Sequence, residues 1–118
     1  MKYNIIREKS YKFALKIIDL CKLLKDNKEF VLADQLMRSG TSVAANVEEA
    51  IGGESRADFI HKMSIAYKEA RETNFWIKLL VDSKRLPNED LNIQISENEE
   101  ILKILTTIIK NNKDKIEK

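Results

Sequence analysis

The chain has 118 residues and a formal charge of +2 at pH 7, with a sequence pI of about 8.6. That balance is too mild for a dedicated DNA-binding domain. Three glycines, one proline and 34% charged residues leave little material for the turns of a sheet, and favour one domain of long helices over residues 1–118.

The first helix is expected over Asn4–Asp26, where Ile6, Phe13, Ala14, Ile17, Cys21 and Leu24 recur at helical spacing. Cys21, alone and set among leucines, reads as a small buried hydrophobe and excludes an intramolecular disulfide. The second helix is expected over Phe30–Ile51, ended by Gly52-Gly53 in the left-handed conformation that glycine favours at helix ends. Gly40 lies in its middle and costs on the order of 1 kcal/mol against alanine, which predicts the close approach of another helix. The third begins at Ser55, where Ser55-Arg56-Ala57-Asp58 resembles a capping box, and runs to near Arg85. Within it Phe59, Met63, Ala66, Ala70, Thr73, Ile77 and Leu80 alternate by four and three, the seam of a helix bundle. The fourth follows Pro87-Asn88 and is strongest over Ile101, Leu102, Ile104, Leu105, Ile108 and Ile109. Leu91 to Ser96 alternates apolar and polar, a poorer helical pattern, and the charged stretch from Asn111 to Lys118 is expected to fray. Connections of about 2–5 residues make consecutive helices antiparallel neighbours. The fold class is therefore all-α, an antiparallel up-down-up-down four-helix bundle.

The second helix carries an unusual stripe. Gln35, Ser39, Ser42, Asn46 and Glu49 share one side, beside the apolar row Leu32, Leu36, Val43, Val47 and Ala50. Polar groups at the edge of a core need hydrogen-bond partners. The third helix offers Glu69 and Glu72, in a row with Ile65, Trp76 and Leu79. The expected network has one of these carboxylates accepting from Gln35, Ser42 or Asn46, with Arg38 as counter-charge; the other reading points both into water. Such a network can fix helix register.

Motifs for chemistry are lacking. One histidine, His61 in Asp58-x-x-His61, cannot supply the Glu-x-x-His pairs of a di-iron bundle, so no metal is expected. Arg38-Ser39-Gly40-Thr41-Ser42 lacks the lysine and glycine spacing of a phosphate loop and lies inside a helix. No Ser/His/Asp or Cys/His arrangement is evident. The reading is a non-enzyme with no cofactor. No apolar run approaches the roughly 18 residues of a membrane span, and the start lacks an apolar signal segment, so a cytoplasmic location without a membrane role is expected.

Charge is unevenly shared: residues 1–28 and 55–86 are net basic, whereas 29–54 and 87–118 are net acidic. On the third helix His61, Ser64, Lys68, Arg71, Phe75, Lys78, Asp82 and Arg85 follow one stripe. Lys9, Lys12 and Lys16 form a similar row on the first. Such rows can track a phosphate backbone, with Phe75 stacking on a base, or they can be solvated helix faces or a contact with another subunit. In a square bundle the two basic helices lie on a diagonal, so assembly would be needed to join their charge.

The run Leu36-Met-Arg-Ser-Gly-Thr-Ser-Val-Ala-Ala-Asn-Val-Glu-Glu-Ala50, then Ser55-Arg-Ala-Asp-Phe-Ile-His-Lys-Met-Ser-Ile-Ala66, then Glu69 and Glu72, resembles the bacterial four-helix-bundle proteins of the 23S rRNA intervening-sequence (S23) type. That family includes the accessory variability determinant of diversity-generating retroelements. The resemblance is close over residues 32–80 and looser over the rest. It implies a homo-oligomer, typically a barrel-like pentamer, with no enzymatic activity. In the retroelement branch it implies binding to nucleic acid, RNA or DNA, and to a reverse transcriptase through a basic surface. It also implies that Gln35, Arg38, Ser39, Ser42, Asn46 and Glu49 are scaffold or interface residues. A protein-interaction scaffold with no nucleic-acid role is the alternative.

Overall fold

A computed structural model describes residues 2–117. Four helices follow in order: α1 Asn4–Asp26, α2 Phe30–Ile51, α3 Arg56–Asp82 and α4 Asn92–Glu117. Each packs against its chain neighbours, and α4 closes back on α1, while the pairs α1–α3 and α2–α4 face each other across the diagonal. The result is the four-helix bundle expected, 50 × 22 × 20 Å in extent.

The apolar periodicities become the core. Ile6, Phe13, Ala14, Ile17, Cys21 and Leu24 of α1 are buried, as are Met63, Ala66, Ala70, Thr73, Ile77 and Leu80 of α3. From α2 come Ala33, Leu36, Val43, Val47 and Ala50, and from α4 Ile101 and Leu105. Gly40 answers the expectation placed on it. A Cβ there would stand 2.7 Å from Cγ2 and 2.9 Å from Cγ1 of Ile17, so α1 and α2 approach as closely as they do because no side chain intervenes.

Helix ends follow the sequence in part. Ser55 caps α3, its hydroxyl accepting from the Asp58 amide at 3.0 Å. The left-handed residues are Lys28 (φ 61°) and Lys84 (φ 57°), just beyond α1 and α3, whereas α2 ends at Gly52 with φ −84°. At Gly53 a Cβ would stand 2.6 Å from Asp58 Oδ2, which a turn of that side chain relieves, and 3.0 Å from the Ala50 carbonyl oxygen, a tight backbone contact.

Helix α3 stops at Asp82, before the expected Arg85, and residues 83–91 form a longer connection than foreseen. Leu86 and Leu91 are buried and pin that connection to the core. The end of α4 also differs from expectation. It stays helical to Glu117 because Asn112, only 5% exposed, returns to the core one heptad after Leu105.

Candidate functional site

The stripe on α2 resolves into three kinds of contact. Ser39 is fully buried, and its hydroxyl lies 3.0 Å from that of Thr73 on α3, a residue assigned from sequence only to the seam. The Thr73 hydroxyl is also 2.8 Å from the Glu69 carbonyl of its own helix. Ser42 and Asn46 turn inward to their own helix: the Ser42 hydroxyl donates to the Arg38 carbonyl at 2.6 Å, and Asn46 Nδ2 to the Ser42 carbonyl at 2.8 Å. Serine and asparagine commonly satisfy themselves this way inside helices. They do not reach the glutamates.

Arg38 does. Its Nη1 donates to Glu69 Oε2 at 3.2 Å, and its Nη2 donates to Glu72 Oε2 and to Gln35 Oε1, the latter at 3.0 Å. Glu72 also accepts from Trp76 Nε1 at 2.9 Å. The indole bond, with the Arg38 guanidinium in support, holds the Glu72 carboxyl below its ordinary value despite an opposing effect of desolvation. Glu49 pairs instead with Lys62 at 3.5 Å. The cluster thus ties α2 to α3 through a forked guanidinium, and the arginine named as a counter-charge is its centre.

The two basic rows part company. On α1, Lys9 pairs with Glu100 of α4 at 2.9 Å and Lys16 with Glu97, which leaves Lys12 as the member without a carboxylate partner among the described residues. Arg85 pairs with Glu29 at 3.2 Å. On α3, Lys68, Arg71 and Lys78 are exposed and have no carboxylate partner among the described residues. Phe75 stands among them, 56% exposed, its ring edge-on to Trp76 with centroids 5.1 Å apart. Beside this row, Ser64, Tyr67 and Lys68 of α3 face Thr106, Ile109, Lys110, Lys113 and Asp114 of α4 across a groove of about 640 Å³.

Lys110 and Lys113 are outside the basic rows read from the sequence, and Lys113 lies in the stretch expected to fray. The signal was the seven-residue spacing of Asn98, Leu105 and Asn112, all buried, which carries the helix past its isoleucines. Asn98 is the cross-helix member, its Nδ2 donating to the Ala70 carbonyl at 2.8 Å.

Burial pushes the Cys21 thiol up to about 11, so it stays protonated at neutral pH, and its Sγ points to the Ala33 carbonyl at 3.4 Å. Among the described residues no three His, Cys, Asp or Glu side chains gather as ligands for a metal ion. No described helix is long and apolar enough to cross a membrane.

No curated protein matches the chain. Among solved structures it is similar to a protein of unknown function from the S23 ribosomal protein family of Bacteroides thetaiotaomicron. The two share 45% identity with a TM-score of 0.87, over 93% of this chain and 99% of that one. The model of the 23S rRNA-intervening sequence protein family matches residues 2–107, a stretch that holds α1, α2, α3 and the first part of α4, and with them both the Arg38 cluster and the α3 row. With that span matched and the bundle shared, the chain belongs to the 23S rRNA-intervening sequence protein family.

Proposed function

We propose that this protein is a non-enzymatic bundle that assembles with copies of itself and binds RNA, or another nucleic acid, along α3 and the end of α4. The observation that carries the reading is the set of cations left over. Helix α1 spends Lys9 and Lys16 on α4 carboxylates, whereas Lys68, Arg71 and Lys78 have no carboxylate partner among the described residues and flank an exposed aromatic ring. Unpaired cations release counterions when they meet phosphates, and a ring beside them offers a stacking platform. Lys110 and Lys113 widen the positive strip across the α3–α4 groove.

The test is a salt titration of affinity for short single-stranded RNA. Affinity should fall steeply with salt. The K68E/R71E/K78E variant should flatten the log–log slope by about two units, as expected for roughly three lost phosphate contacts. K9Q/K16Q should change the slope little, since those lysines are already paired. An absence of binding at low salt, or an unchanged slope in the charge-reversed variant, overturns the reading.

A second reading is a scaffold for a protein partner, such as a reverse transcriptase, with no nucleic-acid role. The exposed Leu79, one turn along α3 from Phe75, favours it, because apolar side chains grouped at the surface suit a protein contact. Self-assembly, with a pentamer as the expected form, is compatible with both. Its support lies on α1, where Ile5, Tyr11, Leu15 and Ile18 are all exposed.

A further inference from the structure

At one end of the bundle the residues before α1 reach across to the start of α3. Tyr3, just before α1, packs its ring against Phe59 near the start of α3, with centroids 4.9 Å apart. Lys2 lies over the Tyr3 ring at 5.7 Å, and the last turn of α4 brings Lys115 to the same place. Lys2, Tyr3, Ser55, Arg56, Phe59, Asn112 and Lys115 line a pocket of about 250 Å³. We propose that this pocket binds a phosphate group, carried by a free phosphate anion or by the end of an RNA strand, through Lys2, Arg56 and Lys115.

Three observations support it. First, cations from three separate parts of the chain converge, yet none of the three belongs to any ion pair among the described residues. The neighbouring Glu54 and Asp114 are outside the lining. Second, Arg56 is held in place without being neutralised. Its Nη1 donates to Asn112 Oδ1 at 2.9 Å, and Asn112 is itself anchored through Nδ2 to the Ile108 carbonyl at 2.8 Å. Arg7, Arg38 and Arg85 are all held by carboxylates, so a neutral acceptor here leaves a full positive charge with further N–H groups to donate. Asn112 is therefore a positioning residue. Third, the cations crowd one another. The Lys115 ammonium is destabilised chiefly by the adjacent Lys2 ammonium, and further by desolvation and by Arg56, which lowers its proton affinity. An anion among them would relieve that repulsion. The pocket is separate from the Lys68–Lys78 row and does not depend on it.

The experiment is a titration of the full chain with inorganic phosphate at low ionic strength, followed by ³¹P NMR. A second arm compares short RNAs of one sequence with a 5′-phosphate or a 5′-hydroxyl. Saturable phosphate binding is expected, weakened at least tenfold in K2Q/R56Q/K115Q, whose three sites are exposed and leave the core untouched. Asn112→Asp, which would pair Arg56 with a carboxylate, should also weaken it. K68E/R71E/K78E should retain it, so a failure of the RNA reading stays distinguishable. A preference for the 5′-phosphate that the triple glutamine variant loses makes the strand end the ligand. Phosphate binding without that preference makes it the free anion. The proposal is overturned if neither phosphate binding nor a 5′-phosphate preference is seen, or if K2Q/R56Q/K115Q leaves both unchanged.

Discussion

Gly40 was legible as a residue out of place, and the structure supplies the reason. A glycine inside a helix gives up about 1 kcal/mol of helix propensity, and here it lets the fully buried Ile17 sit against the α2 backbone. Because Ile17 is β-branched and enclosed, its Cγ atoms cannot swing away from an added methyl. Gly40→Ala should therefore be destabilising, with overpacking of about 1–3 kcal/mol exceeding the propensity gained. Thermal melts should show Tm lowered by roughly 5 °C or more. In an Ile17→Ala background the same change should become neutral or stabilising, and a Tm that falls equally in both backgrounds would refute the steric account. Ser39 was legible as a polar residue at the core edge, but not its partner Thr73. Threonine at a seam position gives no sign of whether its hydroxyl meets a backbone or another helix. Asn98 and Asn112 show the opposite case: each lies seven residues from Leu105, a repeat present in the sequence but masked there because asparagine is not an apolar residue.

At the level of the helices, charge and pairing agree. The basic α1 and α3 each have two acidic neighbours, and six of the seven ion pairs among the described residues join different helices: α1 to α2 through Arg7 and Glu48, α1 to α4 through Lys9 and Lys16, α2 to α3 through Arg38 and Lys62; the seventh, Arg85–Glu29, joins the connection after α3 to the residue before α2. Exposed pairs of this kind contribute about 0–1 kcal/mol each, so their value lies more in favouring this neighbour order than in stability. The Arg38 cluster makes a pH prediction. Glu72 has its folded pKa lowered from 4.5, first by the Trp76 hydrogen bond and then by Arg38. Its contribution is complete above 4.5 and is lost as pH falls through the lowered value. Tm should fall on acidification below that point, and Glu72→Gln should reduce the fall. If the variant and the parent keep parallel Tm–pH curves, Glu72 is not the group responsible. The sequence placed Glu69 and Glu72 opposite the α2 stripe. It did not show that Arg38 would outcompete the neutral donors, which depends on how far each side chain reaches between two packed helices.

For the whole molecule, the exposed apolar residues of α1 make self-assembly testable. Ile5 is 65% and Leu15 48% exposed, and both line the α1–α4 groove. Light scattering over a range of concentrations should give a mass above that of one chain. Ile5→Glu with Leu15→Glu should shift it toward the 13.7 kDa monomer. A monomer at every concentration would remove assembly from the proposed function. The sequence by itself determined the number of helices, their order, the buried faces of α1 and α3, and the family, because periodicity and caps are local and the family motif is a linear string. Only the tertiary structure decided which charges remain available. Whether a lysine is spent or free depends on carboxylates from other helices, as Lys16 meets Glu97 and Arg38 meets Glu72. It also decided that Lys2, Arg56 and Lys115, far apart along the chain, share one pocket, since that follows from where antiparallel helices begin and end in space.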